Sequence, residues 1–169
     1  FFVLSGFILT HVYSRRQYSY ADFLWARFAR LWPMHIATIA LVMFCVRADS
    51  ITFDGPGLFS KWVTLAANVT LTHAVVPYTA FTFSWNSVSW SISTEMFFYL
   101  AFPLLLINIR ETWRLKLMSA LAVVCLMLLA GKALALPAQG GVYDLTLESL
   151  LATNPATRGF EFCLGMAAY

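Results

Sequence analysis

The chain has 169 residues, of which 60% are apolar, 17% aromatic and only 11% charged, with a mean hydropathy of +0.73. Soluble domains carry about 25% charged residues, so this composition excludes a wetted globular surface and, equally, a disordered chain. Cys45, Cys125 and Cys163 stand singly in apolar runs, which excludes a disulfide-stapled miniprotein or a zinc domain, and a net charge of +3 without a long basic block excludes a nucleic-acid partner. What remains is an all-α, multipass transmembrane helical bundle.

The sequence opens inside the apolar run FFVLSGFILTHVY and stops inside GFEFCLGMAAY, so it reads as the interior of a longer chain, a single partial membrane domain over 1–169 with no soluble domain. The opening run has neither a basic leader nor a small-residue cleavage site, and so does not read as a signal peptide. A helix needs about 20 residues to cross the hydrocarbon. The apolar stretches predict about five spanning helices, over 1–14, 31–46, 87–109 and 115–136 and from near Arg158 onward. Between the first two, SYADFLWARFARLWP predicts an interfacial helix, opened by a capping box of Ser19 and Asp22 and ended by Pro33. Residues 59–77 are diluted by Lys61, Asn68, three Thr and His73, and read as a partial or re-entrant helix. Asn68-Val-Thr70 matches a glycosylation sequon, a three-residue match expected by chance. DGPG (54–57) and PAQGG (137–141) are turn punctuation, and 137–157 is an outer loop without Lys or Arg.

This division places Arg15, Arg16, Arg27, Arg30, Arg110, Arg114 and Lys116 on one side, which the positive-inside rule makes cytoplasmic. Asp49, Asp54, Asp144 and Glu148 fall on the other side, with only Arg47, Lys61, Lys132 and Arg158 as basic residues.

A few polar residues are not explained by composition. Arg27 and Arg30, three apart, project together while Trp25, Phe28 and Trp32 lie on the far side. They suit either an interfacial helix meeting lipid phosphates or a guanidinium fork for a phosphorylated ligand. Glu95 sits in a membrane run, where an acidic residue at the helix centre costs about 2.5–3.5 kcal/mol. Ser91, Glu95 and Tyr99 share one helical stripe that should face a polar cavity or a partner helix. Glu95 is either a structural carboxylate paired with an Arg or His, or a catalytic or substrate-orienting one. Arg158 and Glu161, three apart, could satisfy each other. His11, His35 and His73 have no spacing for a metal and suit packing or helix–helix hydrogen bonds. The chain has no Gly-rich phosphate loop, GxSxG elbow or Cys/His nucleophile pair.

FFVLSGF (1–7), Arg27-Phe-Ala-Arg30-Leu-Trp-Pro33, SWSISTEMFFYLAFP (89–103) and RGFEFCLGMAAY (158–169) together resemble the acyltransferase family 3 of integral membrane proteins, in order and spacing. The resemblance covers the whole chain and about half of the family's domain. It implies a bundle of roughly ten helices in the bacterial cytoplasmic membrane. Such a bundle moves an acyl group, usually acetyl, from cytoplasmic acyl-CoA to hydroxyls of envelope or extracellular carbohydrates. Its partners are then acyl-CoA, a carbohydrate acceptor and the lipid bilayer, with acyl-CoA as a substrate and no bound cofactor. By the same resemblance Arg27 and Arg30 correspond to arginines serving the coenzyme A side, Glu95 to the acidic residue of its segment, and Arg158 to an arginine opening a later helix. The family's catalytic histidine lies on a helix preceding FFVLSGF, and none of His11, His35 and His73 matches it, so this segment alone is expected to be inactive. An acceptor hydroxyl near pH 7 needs a general base, and His is the efficient choice. Glu95 would orient that base or stabilise its imidazolium, with Ser91 and Tyr99 as hydrogen-bonding neighbours. A transporter or channel also suits an intramembrane carboxylate, although internal repeats are absent. A noncatalytic family-like subunit is a third alternative.

Overall fold

Apolar runs punctuated by Pro, Gly and Asn build helices, and the computed structural model, which describes residues 1–46 and 50–169, is all-α. Its helices are α1 (Phe2–Tyr13), α2 (Tyr20–Cys45), α3 (Lys61–Val69), α4 (Thr79–Thr82), α5 (Trp90–Leu106), α6 (Ile109–Ala133), α7 (Leu147–Ala152) and α8 (Pro155–Ala167). Among the described residues there is no strand, only an isolated antiparallel bridge between Tyr78 and Leu145. Two helices, α2 and α6, are long and apolar enough to cross a membrane; α1 and α5 are apolar but shorter.

The expected interfacial helix and second span are one continuous helix. Pro33 lies inside α2 without ending it. A proline interior to a helix removes one backbone donor, but apolar surroundings favour keeping every other backbone bond within the helix. Ser19 is the N-cap of α2, yet its side chain makes no capping bond, so the capping box does not form. The basic run 110–116 is also helical, lying in the first turns of α6. A two-residue turn precedes it, with Asn108 in the left-handed region (φ 48°), a conformation that asparagine tolerates better than most side chains. The outer loop contains α7, opened by a reciprocal capping box of Thr146 and Ser149.

Residues 59–77 form only the nine-residue α3, about 13 Å long and too short to span. Of the polar residues that dilute its sequence, Thr64, Asn68 and His73 are buried and hydrogen-bonded, whereas Thr70 and Thr72 are exposed. Asn68 Nδ2 donates to Thr64 O at 3.0 Å and Trp85 Nε1 to Thr64 Oγ1 at 3.2 Å. Asn68 is fully buried, which removes the sequon from any modifying enzyme. The segment is tied to the outer loop by Ser149 Oγ donating to Pro77 O (2.7 Å) and Asn154 Nδ2 to Val75 O (3.1 Å).

Helix directions follow from these contacts. Phe2 meets Trp90 at the start of α5, and Tyr13 meets Phe102 near its end, so α1 and α5 run the same way. α8 runs with them, since Phe2 and Phe162 both pack on Phe98 while His11 meets Tyr169. α2 returns, bringing Phe23 to Phe102. Phe2, Phe23, Phe98, Tyr99, Phe102 and Phe162 form the core at this junction. One end therefore gathers Ser14, Arg15, Asn108, Arg110 and Tyr169, and the other carries 50–89 and 134–154. Arg47 and Asp49, expected on the second side, lie outside the described residues. Cysteines placed at Ser60 and Thr112 in the intact protein should label from opposite faces of the membrane; labelling from one face would overturn the bundle's direction.

Candidate active site

Glu95 lies mid-helix on α5 and is only 8% exposed. Tyr99, one turn on, donates its hydroxyl to Glu95 Oε1 at 2.5 Å, and Ser5 Oγ from α1 reaches the same oxygen at 3.3 Å. The sequence stripe is thus half realised. Ser91 turns its hydroxyl back to Val88 O at 3.3 Å, in the turn that leads into α5, and Ser5 takes the place expected for it. Among the described residues no Arg, Lys or His stands within 4 Å of the carboxylate, and Oε2 receives no hydrogen bond from them. The carboxylate is fixed through one oxygen and open at the other.

Arg27 supplies the nearest positive charge by an indirect route. Its guanidinium carbon lies 5.5 Å from each of the ring centroids of Tyr13, Phe23 and Tyr99, and Nη2 donates to the Tyr13 hydroxyl at 3.0 Å. Desolvated cation–π contacts contribute on the order of 2 kcal/mol, which offsets part of the cost of drawing the charge inward. Arg27 Nε is buried without a hydrogen-bond partner. Tyr99 therefore stands between a carboxylate on its hydroxyl and a guanidinium on its ring. Arg30 is exposed and, among the described residues, lies over none of these rings. Tyr18 packs on Tyr13 at the edge of this cage. Burial first, and then Tyr13, raise its phenol above the ordinary tyrosine value.

Arg158 stands at the other end of α5. It pairs with Glu161, donates through Nε to Ala152 O at 2.6 Å and lies 6.0 Å from the Trp90 ring centroid. It is not brought to Glu95.

A family model described as an acyltransferase domain matches residues 1–169, the whole chain. This chain belongs to acyltransferase family 3. The curated "Acyltransferase MdmB" of Streptomyces mycarofaciens is 31% identical over 98% of this chain and 43% of that protein. "Protein 2 in picA locus" of Rhizobium radiobacter is 46% identical over 25% of this chain and 24% of its own length. The chain thus spans less than half the length of either relative. No solved structure matches it significantly.

Within this family 3 chain, Ser5 is the contact that sequence reasoning missed. It is the sole hydroxyl in the first nine residues and adjoins Gly6, whose missing side chain lets α1 approach α8. The histidines lie elsewhere. His35 Nε2 bonds with Asn68 O (3.0 Å) and His73 Nε2 with Ser89 Oγ (3.2 Å), their rings stacked with centroids 5.9 Å apart. His11 is exposed and stacks on Phe7.

Proposed function

We propose that the chain belongs to an integral membrane O-acyltransferase of the bacterial cytoplasmic membrane. It would move an acyl group, in the simplest case acetyl, from cytoplasmic acyl-CoA to a hydroxyl of an envelope or extracellular carbohydrate. The observation that carries this reading is the buried Glu95 carboxylate, held through Oε1 by Ser5 and Tyr99 and open at Oε2, in a chain of an acyltransferase family.

In the transfer, a base takes the acceptor hydroxyl's proton as its oxygen attacks the thioester carbonyl. The C–O bond forms, the C–S bond breaks, and coenzyme A leaves as a thiolate that recovers the proton. The resemblance assigns the base to a histidine on a helix before residue 1, and Glu95 Oε2 would orient it and stabilise its imidazolium. Low dielectric around the site strengthens that charge interaction. Arg27 and Arg30 supply positive potential on the donor side. Ser91 and Arg158, at the far end of α5 beside Trp90, are assigned to the acceptor side.

The test is label transfer. Intact protein in proteoliposomes, given acyl-CoA labelled in the acyl group, should move label into a hydroxyl-bearing glycan. Solute or ion flux without acyl-CoA, and no label transfer, would replace the enzyme with a transporter.

A further inference from the structure

The basic end of the bundle holds a pocket to which the proposed function gives no role so far. Two adjoining cavities of about 370 and 360 Å³ share Arg15, Ile109 and Arg110, a size within the range of small-molecule sites. Ile109 and Met166 are buried apolar side chains in its lining, while Arg15, Arg110, Trp113 and Tyr169 supply polar and aromatic edges. Among the described residues neither arginine has a carboxylate within 4 Å. Glu111 is the one acid in the lining, in the second cavity. The Tyr169 hydroxyl accepts from Ser14 Oγ at 2.8 Å and lines the first cavity with both arginines.

Two guanidiniums without a carboxylate partner among the described residues, over an apolar floor, match a phosphate ester, which arginine binds through parallel N–H bonds. We propose that Arg15 and Arg110 form a phosphate subsite and that its occupant is the phosphorylated nucleotide end of the acyl donor, with Trp113 presenting an aromatic surface to the base. The choice of donor rests on the acyl-CoA reading above. Two features favour it over the phosphate of a lipid headgroup. Trp113 lines the cavity, and a glycerol headgroup has no ring to stack on it. The subsite also begins two residues after Tyr13, the partner of Arg27, which puts it at the donor end of the cage.

The test uses intact protein in phosphatidylcholine nanodiscs, with adenosine 3′,5′-bisphosphate as the probe. An Arg15→Gln, Arg110→Gln double variant should bind it at least tenfold more weakly and raise KM for acyl-CoA at unchanged kcat. Arg16→Gln, exposed and lining neither cavity, should bind like the parent. Trp113→Leu should weaken the bisphosphate but not inorganic phosphate. Equal bisphosphate affinity in the double variant overturns the subsite. So does a parent that ignores the bisphosphate yet retains phosphatidylglycerol through the two arginines, which makes the pocket a lipid site. Arginine-dependent bisphosphate binding without label transfer would sink the acyl-transfer function and leave the subsite standing. Transfer with unchanged KM in the double variant would do the reverse.

Discussion

Glu95→Gln in the intact enzyme is expected to lower kcat for acyl transfer by roughly 10²–10⁴-fold, the range for groups that take part in or orient general acid–base catalysis. The substitution keeps side-chain size while removing the charge that Oε2 would present to an imidazolium. Its amide oxygen can still accept from both Ser5 and Tyr99 at the Oε1 position, and the amide nitrogen then stands at the open Oε2 position as a donor. KM for acyl-CoA should change little, because the arginines proposed for the donor side remain. Tyr99→Phe is the companion variant. It keeps the carboxylate charge and removes one of its two hydrogen bonds, so its loss should be nearer tenfold. Steady-state label transfer measures both, and a Glu95→Gln enzyme with parental kcat would remove Glu95 from the mechanism.

The second large effect concerns how Ser5 reaches the site. α1 and α8 cross at glycines on both sides. A Cβ on Gly165 would stand 1.9 Å from Val3 O, and one on Gly6 would stand 2.2 Å from Phe162 O. Both obstacles are backbone, which no side-chain rotation can move, so a single methyl forces the helices apart. Between apolar helices in a bilayer, close backbone approach is a main source of association free energy. Gly165→Ala should therefore cost about 1–3 kcal/mol or more, the range for overpacked cores, and reduce acyl transfer too, since Ser5 lies between Val3 and Phe7 on the displaced helix. Gly159→Ala provides the contrast on the same helix, because its Cβ would meet only Phe98 Cε1 at 3.9 Å. Thermal unfolding in detergent should place Gly159→Ala close to the parent and Gly165→Ala well below it; equal midpoints would refute the account of the crossing.

Much of the site was legible because an acidic residue in a membrane run demands partners. Helical spacing put Tyr99 beside Glu95, and the hydrogen bond is there. Spacing alone also suggested Ser91, which instead satisfies the Val88 carbonyl just before its helix. A short hydroxyl near the start of a helix has a local acceptor within reach, and that competes with any longer-range bond. Arg27 and Arg30 share a helix face, yet three aromatic rings from α1, α2 and α5 draw in the first and leave the second exposed. Pro33 misled in the other direction, since a proline read as a stop lies within a continuous helix.

Composition and periodicity were enough for an all-helical chain, the scarce charges as site candidates, and the motifs that carry its family, because each depends on residue type or on neighbours within one or two turns. The partner of Glu95 from α1, the cage around Arg27, the burial of His35 and His73, and the pocket of Arg15 and Arg110 depend on which helices touch. Those contacts join residues up to 155 positions apart, as between Ser14 and Tyr169. They are set by close approach at Gly6 and Gly165 and by ring packing around Phe98 and Phe102. Apolar helices in a bilayer gain little from hiding apolar surface on one another, so shape decides their pairing, and shape is a property of the assembled faces.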